Sequence, residues 1–342
     1  MLKRLTVLLF ILLIPLFLCS CTKNDVEEIT FSSWGSVTET GILNNLIKNY
    51  EKENPQVKIN FIHIPQNYFQ KIHLLFASST APDVIFINNL YLHVYSNQLE
   101  DLSNLVKPDE YYPQALRALS INEKLYAVPR DISNFVFFYN KQITGNINPN
   151  WTLTDFENLI KRISTKEHYG VSYERDIYWA SPYTQTLGFN EGINYYKKLE
   201  GKYAPTPAQV GSSTQAQMFL DGKLGLYLSG RWMFPKISET AKFEYGIVTF
   251  PGIVTADASG WAISKNSKHK EQAIKFVKYL SSEQSIDYLT DTGLIVPARI
   301  DSSKKIKEKA FIDAITKSVP NITDKNFNKT RDKLNKQLFN KE

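Results

Sequence analysis

Between Val26 and Ile87 the chain switches repeatedly between two hydrophobic periods, and this alternation restricts its fold more than any other feature. From Val26 to Trp34, Ile29 and Phe31 alternate with Thr30 and Ser32, the period of a strand. Leu43, Leu46, Ile47 and Tyr50 then recur at helical spacing until Asn54-Pro55 stops them, and Val57 to Phe61 reads as a second strand. Phe69, Ile72 and Phe76 predict a second helix, which Ala81-Pro82-Asp83 breaks before the apolar strand Val84 to Ile87. A βαβαβ order demands a mainly parallel sheet covered by helices, because parallel neighbours need crossover connections. In such sheets ligands sit beyond the carboxyl ends of the strands, here the loop from Ser33 to Thr38 and the pair Asn88-Asn89. No Gly-x-Gly-x-x-Gly follows a strand, and Gly225 to Trp232 lacks the Lys-Ser/Thr ending of a phosphate loop, so a cofactor-free site is expected.

The pattern changes after Lys124. Leu125 to Pro129 and Phe135 to Asn140 predict two strands around a proline, as in a crossover between lobes. Thr152 and Asp155 form a candidate capping box for a helix that buries Phe156, Leu159, Ile160 and Ile163. Further on come a helix with Tyr195, Tyr196 and Leu199, and a helix ending at Gly222. Strands follow at Leu224 to Ser229, Tyr245 to Pro251 and Gly260 to Ser264, and then a helix with Ala273, Ile274, Val277 and Leu280 on one face.

The start of the chain reads as a targeting segment. Lys3 and Arg4 precede an apolar run that closes in Leu18-Cys19-Ser20-Cys21, too short for a membrane span, with small Ser20 before the cut. This predicts a lipoprotein signal over residues 1–20, with Cys21 carrying diacylglycerol and acyl chains of the palmitate kind. Cys19 and Cys21 are the only cysteines, so the mature chain is left with neither a disulfide nor a free thiol, although it enters an oxidising compartment. An apolar core must hold it together, and 43% hydrophobic content over this length predicts two lobes. The net charge of +6 resides in the tail, where ten Lys and one Arg face five acids from Ser303 onward. That tail is expected to be a solvated helical face, with lipid headgroups as the sharper alternative. No motif supports nucleic-acid binding.

The order of segments resembles the extracellular solute-binding proteins of ABC importers, in the sugar-binding branch that includes maltose-binding protein. The stretches that carry the resemblance are Ile29 to Trp34, Tyr50 to Pro55, Ala81 to Val84, Ala127 to Asp131 with Phe138 to Lys141, Trp151 to Phe156, Phe219 to Lys223 with Gly230 to Trp232, and Gly260 to Ile263. The resemblance implies an α/β, two-lobed periplasmic-binding-protein fold with a cleft between lobes joined by crossing strands. One lobe would comprise 21–127 and 260–296, the other 128–259 and 297–342, with crossings near Val128-Pro129, Ala258 to Gly260 and Val296-Pro297. It further implies a monomeric, lipid-anchored receptor outside the cytoplasm. Such a receptor takes a sugar or oligosaccharide in the cleft and passes it to the transmembrane subunits of an ABC permease. Between Ser164 and Tyr195 the chain is shorter than the family pattern, which bears on Trp179, Ser181 and Tyr183.

Sugar rings offer apolar C–H faces to indoles and hydroxyl rims to amides, carboxylates and guanidinium groups. Trp232 is the leading candidate, since it follows a glycine at a strand-to-helix turn and matches a cleft position of the family. Trp261 and Trp34 stand at strand ends, and Trp179 lies in the shortened region, whereas Trp151 opens a helix and should pack beneath it. Asp131 is a candidate to accept from solute hydroxyls, against a structural role, and Arg231 is a candidate to fork onto a hydroxyl pair or an acidic substituent, against a surface ion pair. One of Asn88 and Asn89 should reach the solute while the other caps a helix, and Asp83 reads as a turn residue.

Other function classes leave weaker marks. An exported glycosidase needs two carboxylates across a cleft, but Asp131 has no evident partner and no Gly-x-Ser-x-Gly or His-Glu-x-x-His occurs. The spacing of His63, His73 and His93 matches no metal-ligand pattern. A glycerol phosphate would recruit Arg130 or Arg231, and a polyamine several acids.

Overall fold

The computed structural model describes residues 26–321 and 323–339, so Cys21 and the residues before it lie outside the described part. Twelve strands are named here in chain order: β1 (Glu27–Ser33), β2 (Val57–His63), β3 (Val84–Asn88), β4 (Ser120–Ile121), β5 (Lys124–Leu125), β6 (Val128–Asn134), β7 (Val136–Asn140), β8 (Tyr169–Val171), β9 (Leu224–Ser229), β10 (Tyr245–Thr249), β11 (Val254–Ile263) and β12 (Ser318–Pro320).

Two sheets organise the molecule. The first runs β2-β1-β3-β11-β12, with β6 also paired to β11, and the second runs β10-β7-β9-β8. β1 is parallel to β2 and β3, as its helical crossovers require, while β11 is antiparallel to β3 and β6. The crossover helices are Val37–Glu53 and Tyr68–Ala77. Ser36 caps the first, its hydroxyl accepting from the Glu39 N–H, and Leu43, Leu46, Ile47 and Tyr50 form the buried face. Asp83 ties the sheet at its amino edge: it accepts from Thr30 N–H and hydroxyl and from the Ser267 hydroxyl. Asp83 therefore does more than the turn residue read from the sequence: it is buried and links β1 to the segment after β11.

The chain passes between the sheets three times. β6 pairs with β11 along its length and leads straight into β7 of the second sheet, so Pro129 lies inside β6, opposite Gly260, rather than between two strands. The missing N–H of Pro129 is accommodated at a register shift between Ser259 and Gly260. β11 returns the chain, all ten of its residues buried. The third passage runs beside β6, where Ile132 N–H donates to Val296 and Ala298 N–H to Arg130.

An aromatic core fills the second lobe. Phe137, Phe156, Tyr183, Tyr196 and Phe250 are almost entirely buried, and Trp151 packs edge-on against Phe137 and Phe156 while its indole N–H donates to Thr249. The capping box at Thr152 and Asp155 closes reciprocally, which fixes the start of the helix Leu153–Ile163. No helix among the described residues is long and apolar enough to cross a membrane.

Candidate functional site

The two lobes present aromatic walls of different construction. On the first, Trp34 leaves the end of β1 and rests half-buried against Phe86 (4.2 Å between ring centroids), Tyr68 (5.0 Å) and Phe69 (5.4 Å). Phe69 in turn stacks on Tyr91 at 3.7 Å. On the second lobe Phe135, in the link between β6 and β7, is surrounded by Trp179 (5.0 Å), Tyr178 (5.3 Å) and Trp232 (6.4 Å). Tyr178 and Trp179 sit in the first turn of the helix Ile177–Leu187, whose N-cap is Asp176.

Trp232 stands in the turn that follows β9 and keeps 38% of its surface exposed. Its ring folds back over Gly230 so closely that a Cβ there would come within 1.8 Å of it, so only glycine permits this placement. Asp131 and Trp232 line a common cavity of about 40 Å³ with Arg130, Ser133 and Arg231. Trp179 borders two adjoining cavities of about 100 and 530 Å³, both also lined by Tyr173, Glu174 and Gln215. A larger hollow of about 790 Å³ lies along β10 and the helix Lys309–Thr316 and contains none of these residues.

Charged groups at the floor of the site are matched internally. The Arg130 guanidinium lies 4.0 Å from the Phe86 ring centroid and bonds Glu39 at 2.8 Å and Asp131 at 2.5 Å. Burial pushes the Asp131 carboxyl up, opposed by the attraction of Arg130. Arg331 grips Asp176 through two hydrogen bonds, of 3.0 and 2.6 Å.

Three expectations need correction. Trp261 is wholly buried in the first lobe, packed against Phe86 (4.9 Å) and Phe31 (5.6 Å), because it lies inside β11 with paired strands on both sides. Arg231 lines the small cavity beside Asp131 and Trp232 but is only 6% exposed, and its guanidinium donates to the Thr290 and Ile295 carbonyls instead of standing free. Its burial depresses the guanidinium to about 10. Asn89 is fully buried: its amide donates to Asp257 and to the Asn321 carbonyl, and its Oδ1 accepts from Ala258 N–H, so it caps no helix and touches no open surface. Asn88 is half-buried, and its Oδ1 has no hydrogen-bond partner among the described residues.

Tyr178, Asp176, Glu39 and Arg331 join the site without having been singled out in the sequence. Asp176 could have been found, since an Asp directly before a run of apolar and aromatic residues is an N-cap signal. Arg331 had no such signal, and rather than belonging to a solvated tail it pairs inside the fold. His63 bonds the Gly35 carbonyl, and among the described residues no group of three or more His, Cys, Asp or Glu gathers to hold a metal.

Comparison with known proteins agrees with this architecture. The family described as bacterial extracellular solute-binding protein matches residues 34–286. The maltodextrin-binding protein MdxE of Bacillus subtilis is 25% identical over 347 residues, covering 87% of this chain and 81% of that one. A galactooligosaccharide-binding protein of the same organism is 21% identical, covering 95% and 90%. Among solved structures, an ABC substrate-binding protein of Listeria monocytogenes in complex with cycloalternan superposes with a TM-score of 0.81 at 22% identity, covering 92% and 93%. The GacH receptor of Streptomyces glaucescens gives 0.80 at 21%, covering 92% of each chain. With two sheets, three passages between them and a family match over most of its length, the chain belongs to the bacterial extracellular solute-binding proteins.

Proposed function

We propose that this protein is a receptor that binds a neutral sugar or oligosaccharide between its lobes and hands it to the membrane subunits of an ABC permease. The observation that carries this reading is the pairing of two aromatic walls with a polar floor whose charges are already matched. Rings at Trp34, Trp179, Tyr178 and Trp232 suit the C–H faces of pyranose rings, and Asp131, Asp176 and Glu39 keep oxygen atoms able to accept from hydroxyls. Arg130, Arg231 and Arg331 are engaged by carboxylates or backbone carbonyls, so a phosphate would have to displace those partners; this weighs against a glycerol phosphate. Relatives that bind maltodextrin and galactooligosaccharide support the same solute class.

Binding is coupled to movement. A solute touching both walls favours the closed arrangement by the difference in its affinity for the two states, and that difference lets a permease distinguish loaded from empty receptor. The work is recognition and delivery, with no bond made or broken. We place the lobe boundaries as the sequence suggests, and read the protein as a monomer held outside the cytoplasm by lipid on Cys21.

A thermal-shift series on the chain from Thr22 to Glu342 tests the proposal with maltooligosaccharides, galactooligosaccharides, glycerol phosphates and polyamines. Selective stabilisation by one sugar series is expected, since ligand binding to the folded state raises stability by RT ln(1 + [L]/Kd). Stabilisation by a phosphate or polyamine alone would overturn the solute class.

A further inference from the structure

The last helix, Phe327–Phe339, carries Asn328, Arg331 and Asn335 at spacings of three and four, so all three lie on one face. Each is bonded. The Asn328 amide donates to the Leu90 carbonyl of the first lobe at 2.9 Å. Arg331 donates from Nε to Asp176 Oδ1 at 3.0 Å and from a terminal nitrogen to Oδ2 at 2.6 Å. Asn335 Oδ1 accepts the Ile177 N–H at 2.8 Å, while Asp176 Oδ1 takes the next free N–H, that of Tyr178, also at 2.8 Å. Two of the unsatisfied donors that begin the helix Ile177–Leu187 are thus satisfied by residues that the C-terminal helix supplies or holds.

Tyr178 is fixed at both ends by the same arrangement. The Arg331 guanidinium lies 5.2 Å from its ring centroid, and its hydroxyl donates at 2.7 Å to Asp257 Oδ2 in β11. The other oxygen of Asp257 accepts from Asn89 and Asn321, so the phenol is tied to the strand that crosses between the lobes. Trp179 is the next residue in the same first turn, against Phe135.

From this geometry we infer that Arg331 is a positioning residue of the solute site: through Asp176 it sets the first turn of Ile177–Leu187, and so the orientation of the Tyr178 and Trp179 rings. Its relevance to solute rests on the sugar-receptor reading above, but its effect on the two rings does not. A Lys at this position keeps the charge and loses the planar fork, and should hold the carboxylate at a single point.

Full-length mature chain labelled with 5-fluorotryptophan, free of solute, gives five ¹⁹F signals to be assigned by single Trp→Phe replacements. In Arg331→Ala the Trp179 signal should shift and broaden while those of Trp151 and Trp261 stay in place, and Arg331→Lys should restore part of the change. Calorimetric titration with maltotriose should show about tenfold or greater weakening in Arg331→Ala, the scale of a lost charge-assisted pair, with partial recovery in Arg331→Lys. An unmoved Trp179 signal would overturn the inference, as would movement of all five signals together with a fallen melting temperature, the mark of general loosening. If the unsubstituted protein fails to bind maltotriose while the Trp179 signal responds as described, the positioning role stands and maltotriose is excluded as the solute.

Discussion

Gly260-Trp261 and Gly230-Arg231-Trp232 look alike in the sequence, each a glycine beside a strand with tryptophan close behind, yet one indole is fully buried and the other is 38% exposed. The difference lies in where the strand stops. Trp261 is still inside β11, paired with Phe86 on one side and Val128 on the other, and the pleat sends its ring among Phe31 and Phe86. Trp232 lies beyond the last pair of β9, in a turn where backbone direction is set by loop geometry and the ring can fold over a bare Cα. Of these two glycine–tryptophan patterns, only the one whose ladder has ended before it leaves the indole exposed.

Substitution at Trp261 should have the largest effect on stability. Trp261→Ala opens a hole in the first lobe and should cost about 3–5 kcal/mol, readable by chemical unfolding. A loss below about 1 kcal/mol would mean that the ring is not the core element its burial suggests.

Trp232→Ala should divide the two properties in the opposite sense. We expect solute affinity to fall by about tenfold or more while unliganded stability changes by less than about 1–2 kcal/mol. Equal affinity in calorimetric titration, or a collapsed melting temperature without solute, would remove Trp232 from the cleft wall.

Between these two, Arg231→Met keeps the length of the side chain and withdraws the donors that reach the Thr290 and Ile295 carbonyls. The Ile295 carbonyl loses its partner, while the Thr290 carbonyl keeps the Gly293 N–H, and stability should drop by about 1–3 kcal/mol. A specific loss of affinity at unchanged stability would reinstate Arg231 as a solute ligand.

The smallest effect concerns acid. Burial raises Asp257, although Asn89, Tyr178 and Asn321 donate to it and lower it again. Its folded value exceeds its unfolded value, so the charged form opposes folding. That penalty is present above the folded value, shrinks as pH falls through it, and is gone below the unfolded value near 4. Between neutral pH and that limit the native protein should gain stability relative to Asp257→Asn, which cannot titrate there. Parallel melting curves for the two proteins across this range would refute the assignment.

Much of the architecture could be read from local pattern. The alternation from Ile29 to Ile87 places β1, β2, β3 and their two helices within a residue or two at most ends, and Thr152 with Asp155 gives a capping box that the structure closes. These are short-range effects, written where they act. Asn89 was misjudged because its partners, Asp257 and Asn321, come from segments far along the chain. The same holds for Arg331: the described lysines of the tail are exposed as a solvated face predicts, but Arg331 pairs with Asp176, a residue far back along the chain. Polar groups in buried networks carry no periodicity, so spacing gives no sign of them.

The long β11 has a further consequence, for the order in which the protein can fold. All four strands of the second sheet lie between Val136 and Thr249, so that lobe holds its whole sheet in one stretch of chain. The first sheet, by contrast, waits for β11 to supply the partner of both β3 and β6, and β11 arrives only after all four strands of the second sheet have been made. Contacts of such separation carry the greater loop-closure cost and form late. The sheet that emerges first is thus closed after the second sheet, and its β3 edge stays open in the meantime, when pairing with a stray strand would be most damaging.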